Sequence, residues 1–123
     1  MRKQYFFRQS ERGLLSWDVH RLVQLSHDLQ PKRIPLSQIR ELYSLWTGDS
    51  DKPTWKEFIQ HMALVNAADL SYPIILSTTG EVMDGMHRVA KAVLEGRAEI
   101  AAVQFITDPE PDHIGLKPEE LTY

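Results

Sequence analysis

Ile74-Ile75-Leu76-Ser77-Thr78-Thr79-Gly80-Glu81-Val82-Met83-Asp84-Gly85-Met86-His87-Arg88-Val89-Ala90 is the stretch on which the reading of this chain turns. Two short apolar runs flank Thr78-Thr79-Gly80, which predicts a hairpin with Gly80 at a positive φ. The second run passes through Asp84-Gly85 straight into helical spacing at Val89, Ala90, Val93 and Leu94, and Gly96 stands where a C-terminal cap belongs. A helix that starts at once after a strand leaves its first backbone N–H groups without carbonyl partners and pointing outward together, an arrangement that attracts anions. Gly85 allows the sharp turn and a close approach to the backbone. Arg88 offers a planar fork for phosphate oxygens and His87 a second donor. The positive end of the helix should oppose protonation of His87 without a ligand and favour it when a dianion is bound. Asp84 would repel a phosphate unless it binds a metal, bonds to a sugar hydroxyl or caps the helix; capping is the simplest reading. A competing reading of His87 and Arg88 is a solvated first turn with Arg88 paired to a neighbouring carboxylate.

Downstream, Ile100 to Ile106 is rich in β-branched and aromatic residues and reads as a buried strand. The acidic, proline-broken tail after Thr107 reads as a loop or an extended wrap. Its Asp108, Glu110, Asp112 and His113 are metal-ligand types, but Pro109 and Pro111 hold the backbone extended, so no metal site is predicted there. Upstream, Thr54-Trp55-Lys56-Glu57 fits a capping box for a helix carrying Trp55, Phe58, Ile59, Met62 and Val65 at helical period. Residues 47–53 read as a loop. Arg33-Ile34-Pro35-Leu36 predicts an edge strand, because Pro35 cannot donate to a ladder, and Ser37 a cap for a helix through Ile39, Leu42, Tyr43 and Trp46. Further back, Val19, Leu22, Val23, Leu25 and Leu29 predict a helix over about residues 17–28, capped by Ser16, with Asp18 in its first turn and Pro31 ending it. The first fifteen residues read as an extended arm or a short strand. Trp17, Trp46 and Trp55 are assigned to the core rather than to a partner surface. His20 and His27, with Asp28, share a helix face without a third ligand and read as solvated.

The composition bounds the rest. The chain has 123 residues, 42% of them hydrophobic, which is enough for one continuous core. It contains no cysteine, so disulfides, thiolate zinc sites and a cysteine nucleophile are excluded. The net charge of −3 speaks against direct, sequence-independent binding of nucleic acid. Arg2, Lys3 and Arg8 around Tyr5-Phe6-Phe7 do not make a signal peptide or a membrane span, and a cytoplasmic protein is expected. The predicted fold class is α/β, a small mixed β-sheet packed by helices in a single domain. Its core covers about residues 32–106, with an N-terminal helical extension at 16–29 and a C-terminal tail at 107–123.

The stretch from Ile74 to Ala92, followed by Gly96 and the strand to Phe105, resembles the ParB/sulfiredoxin-like superfamily, and Arg33 to Ile39 resembles that family's opening strand and helix. Members carry Gly-Glu-Arg-Arg, Gly-Cys-His-Arg or Asp-Gly-x-His-Arg at the equivalent turn and bind nucleotide phosphates there. The resemblance implies that Gly85, His87 and Arg88 lie at the phosphates of a nucleotide such as CTP, ATP or ADP with Mg²⁺, with Asp84 and Met86 in the same turn. It also implies help from the preceding helix, where Lys56, Gln60 and His61 are the polar candidates; ordinary helix surface is the competing reading for each. Met86 occupies the position of the sulfiredoxin cysteine, and a thioether cannot form the phosphoryl-sulfinate or thiosulfinate intermediates of that repair. Sulfiredoxin chemistry is excluded. The expected function is binding of a nucleotide or a small phosphorylated ligand, with slow nucleotide hydrolysis or phosphotransfer as the reactions the resemblance allows. The catalytic residues are unassigned. The alternatives are a non-catalytic protein-interaction module of the same fold and an accessory protein of DNA partition. Asp69 and Ser71 read as an Asx turn rather than as ligand groups.

Overall fold

The computed structural model describes residues 4–44 and 54–121. Its centre is a four-stranded mixed sheet in the order β3 (Lys32–Pro35), β6 (Glu99–Gln104), β4 (Ile74–Leu76), β5 (Val82–Asp84). β4 and β6 are parallel and the other neighbours antiparallel. Both faces of this sheet are covered, which is why β4 and β6 are almost continuously apolar. Ile74, Leu76, Val82, Ile100 and Ala102 point to one side, where Val89 and Ala92 of α3 (Met86–Leu94) and Leu36 and Ile39 pack on them. Ile75, Met83, Val103 and Phe105 point to the other, against Leu15, Trp17 and Leu22.

The second face is covered by an element that the sequence reading resolved only as an arm or short strand. Tyr5–Ser10 (β1) and Gly13–Asp18 (β2) form an antiparallel hairpin, and β7 (His113–Ile114) adds to the free side of β2. This pairing takes residues 16–18 away from the expected helix. Ser16 is wholly buried within β2 and is not a cap; α1 is Val19–Leu25, capped by the Asp18 carboxylate, which accepts from the His20 N–H at 2.9 Å. His20 and His27 are exposed.

The tail is an extended wrap. Pro109 accepts a hydrogen bond from Trp17 Nε1, and Asp112 accepts from the Asp18 N–H and from Arg21. Asp108 accepts from the Thr78 N–H and pairs with Arg8. Arg8 also pairs with Glu81 at 2.6 Å and lies over the Trp17 ring, so one guanidinium joins β1, the β4–β5 hairpin and the tail. Asp108 and Asp112 are therefore structural partners, and among the described residues no three metal-ligand types converge.

The β3 edge strand, the hairpin with Gly80 at φ +89° and the C-terminal turn at Gly96 follow the sequence reading. The helix expected after Ser37 does not form. Its place is taken by two 3-10 turns, Leu36–Gln38 and Arg40–Tyr43, separated by Ile39 in an extended conformation. Leu36, Ile39 and Leu42 recur every three residues, which suits the eclipsed faces of a 3-10 repeat rather than an α-helix, and all three turn toward the core. The Trp46 end of that expected helix and the loop at 47–53 lie outside the described residues. α2 (Trp55–Ala67) forms as expected, with Thr54 Oγ1 accepting from the Glu57 N–H. The assignment of Trp55 to the core is overturned: Trp17 is 1% exposed, whereas Trp55 is 81% exposed and Ile59 61%. The C-terminal half of α2 is tied to the body through buried Val65 and through Lys91, whose Nζ donates to the carbonyls of Asn66 and Ala68.

Candidate functional site

β5 ends at Asp84, and α3 begins immediately with Gly85 as its N-cap at φ +119°. That conformation is open to glycine and strained for other residues. The backbone also presses close here: a Cβ on residue 85 would stand 2.6 Å from Ile74 Cγ2. No side chain caps α3, and its first-turn N–H groups have no carbonyls within the helix. The turn borders a cavity of about 310 Å³ lined by Leu64, Ala67, Asp69, Tyr72, Gly85, His87 and Arg88, among others.

Arg88 is strongly committed. Its Nη2 donates to Asp84 Oδ2 at 2.8 Å, and its Nη1 donates to the backbone carbonyls of Pro73 at 2.9 Å and Tyr72 at 3.2 Å. Asp84 therefore neutralises a guanidinium and does not cap α3, contrary to the simplest reading of the sequence. Met86 turns inward against the core cluster around Ile74 and Val89, leaving its backbone N–H as its contribution to the turn.

His87 is half-buried, and His61 reaches it from α2, the two ring centroids being 5.0 Å apart. His87 is held below the ordinary histidine value of 6.5, first by its burial and then by His61 and Arg88, with Asp84 opposing. The sequence reading anticipated the direction from the helix terminus; the cause is instead burial first, with the neighbouring charges after it. Lys56 is exposed in the first turn of α2, and no described contact joins it to the turn. Asp69 closes an Asx turn, accepting from the N–H and the hydroxyl of Ser71, and these bonds hold its carboxyl below the ordinary value.

The structure thus brings together Asp84, Gly85, His87, Arg88 and His61 and leaves Lys56 apart. Leu64 and Ala67, brought by the packing of α2 on α3, and Tyr72, from the segment that leads into β4, line the cavity unforeseen, and no motif marks them. Chemically, the arrangement presents backbone donors and two imidazoles beside two carboxylates, Asp84 paired with Arg88 and Asp69 hydrogen-bonded to Ser71. Among the described residues no helix is long and apolar enough to cross a membrane. Comparison with protein-family models, with curated proteins and with solved structures finds no match to this chain.

Proposed function

We propose that this domain binds the phosphate group of a nucleotide or small phosphorylated metabolite at the Gly85–Arg88 turn. The observation that carries the reading is the uncapped start of α3 bordering a cavity lined in part by His87, whose ring His61 packs against. The ion pair with Arg88 removes the chief objection, since a carboxylate already matched to a guanidinium no longer repels an incoming anion as a bare charge would. A ParB/sulfiredoxin-like fold is part of the same proposal. It is supported by the order of elements: an edge strand, a helix, a hairpin running through the turn into α3, and a strand returning parallel to β4. Mg²⁺ would arrive with a nucleotide such as CTP, ATP or ADP, and hydrolysis or phosphotransfer would require a base that these residues do not identify.

Thermal shift against CTP, ATP, ADP, GTP and inorganic phosphate, each with Mg²⁺, tests this. A ligand at about one hundred times its dissociation constant should add roughly 2.7 kcal/mol of stability. His87→Ala is expected to melt close to the parent protein yet to lose most of the response. The proposal is wrong if no phosphate compound shifts the parent, or if His87→Ala responds equally.

A second reading, a protein-interaction module, is favoured by the exposed Trp55 and Ile59 on α2. Side chains kept for a partner contribute little to the fold, so Trp55→Ser and Ile59→Ser should each change stability by no more than about 0.5 kcal/mol in chemical denaturation. A loss above about 2 kcal/mol would show that the fold itself holds these residues, and the interaction reading would lapse.

A further inference from the structure

Of the strands that end the two sheets, β3, β5 and β7 are shielded from further pairing. β3 carries Lys32 and closes on Pro35, which has no donor; the Val82 N–H of β5 is taken by the Glu41 carboxylate at 2.7 Å; and β7 is only His113–Ile114. Charge, proline, capping and shortness are the means by which sheet edges resist an added strand. β1 has none of them. Tyr5–Ser10 contains no proline or lysine, and its register with β2 runs without a bulge from Tyr5↔Asp18 to Ser10↔Gly13. Its one charge, Arg8, points inward but is already matched by Glu81 and Asp108.

Alternation along an antiparallel pair decides which backbone groups this edge presents. The Gln4 carbonyl accepts from the Val19 N–H, while the carbonyls of Leu14 and Ser16 on β2 accept from Gly115 and Asp112 on its other side. The even-numbered residues of β1 therefore bond to β2, and the N–H and C=O groups of Phe7 and Gln9 point outward. Among the described residues neither meets a partner there. The strand also keeps apolar surface on both faces. Phe6, beside Trp17 at 5.6 Å between ring centroids, and Phe7, beside Tyr5 at 6.2 Å, are each only partly buried.

We propose that β1 is a dimer interface, pairing antiparallel with β1 of a second copy of this chain about a two-fold axis at Phe7. A second copy fits because the strand is complementary to itself in this register. Phe7 opposes Phe7, Arg8 opposes Phe6 and Gln9 opposes Tyr5, so no like charges meet and an aromatic pair sits on the axis. A slip of one residue sets the outward groups against groups already spent on β2, and a slip of two toward Ser10 sets Arg8 against Arg8. Pairing joins the two copies' three-stranded sheets into one and covers the remaining surface of Phe6 and Phe7.

Sedimentation equilibrium of the full chain, over about 1 to 500 µM, tests the proposal, and the parent is expected to dimerise within that range. Gln9→Pro removes an outward donor and leaves the β1–β2 ladder whole, since proline is tolerated where an edge N–H faces solvent. It should weaken the dimer at least about tenfold while the dilute protein melts as the parent does. Phe7→Lys sets two ammonium groups against each other on the axis and should leave a folded monomer. In hydrogen exchange the amides of Phe7 and Gln9 should be protected only at high concentration, whereas those of Phe6 and Arg8 are protected at every concentration. A parent that stays monomeric overturns the proposal. So does a dimer that neither variant weakens, or one that leaves the Phe7 and Gln9 amides unprotected; it would lie on another face, such as that of exposed Trp55 and Ile59.

Discussion

Gly85→Ala is expected to lower the melting temperature by more than about 10 °C, through two effects at one atom. A φ of +119° lies outside the small left-handed region that L-residues tolerate, which costs on the order of 1–3 kcal/mol. The new methyl would also stand 2.6 Å from Cγ2 and 2.9 Å from Cβ of Ile74, a side chain with no exposed surface in the middle of the sheet. Those atoms are the branch point of a β-branched residue and cannot swing aside; relieving the overlap means moving β4 or the start of α3, at roughly 1–3 kcal/mol more. Together these come to about 2–6 kcal/mol, a large fraction of the roughly 5–15 kcal/mol that holds an ordinary domain folded. Differential scanning calorimetry decides the matter. A variant melting within about 2 °C of the parent would mean that the turn relaxes freely and that no tight geometry is held there.

Arg88→Ala is expected to cost about 2–4 kcal/mol, for a reason separate from any ligand. The substitution strands Asp84 and removes the donor from the carbonyls of Tyr72 and Pro73, in a place where the Arg88 and Asp84 side chains are only 16% and 22% exposed. Residual solvent access keeps the loss below that of a fully buried pair. Arg88→Lys should recover little, because a single ammonium cannot span a carboxylate and two carbonyls as the planar fork does. In a double-mutant cycle with Asp84→Asn the two changes should couple by about 1–3 kcal/mol, since the second removes the charge that the first leaves unpaired. Additive losses would show that the ion pair contributes nothing of its own. Because Arg88 props the turn, its removal confounds folding with binding, and His87 and His61 are the sharper probes of the phosphate reading.

How far the sequence could be read depended on the range of the interactions involved. Local ones were legible. Thr54 caps α2, Gly80 closes the hairpin, Gly96 ends α3, and Asp84-Gly85 turns a strand into a helix, because each is decided by backbone preferences and hydrogen bonds within a few residues. Where two local readings competed, distant contacts chose between them. Ser16 is as good a helix cap as Asp18 in isolation, but pairing of β2 with both β1 and the far C-terminal β7 draws residue 16 into a sheet. Ile39, Leu42 and Tyr43 fit a helix on spacing, yet burying Leu36, Ile39 and Leu42 together in the core cluster selects 3-10 turns.

The same division runs through the site. By itself the sequence determined the turn: its glycine, its exposed first N–H groups, and the absence of a cysteine that removes thiol chemistry. Only the tertiary structure decided that Arg88 spends most of its donors on Asp84 and on the carbonyls of Tyr72 and Pro73, and that His61 stands beside His87. The physical reason is that a side chain's donors go to whatever acceptors packing brings within about 3 Å, and which helix crosses the turn is set by burial of apolar residues elsewhere in the chain.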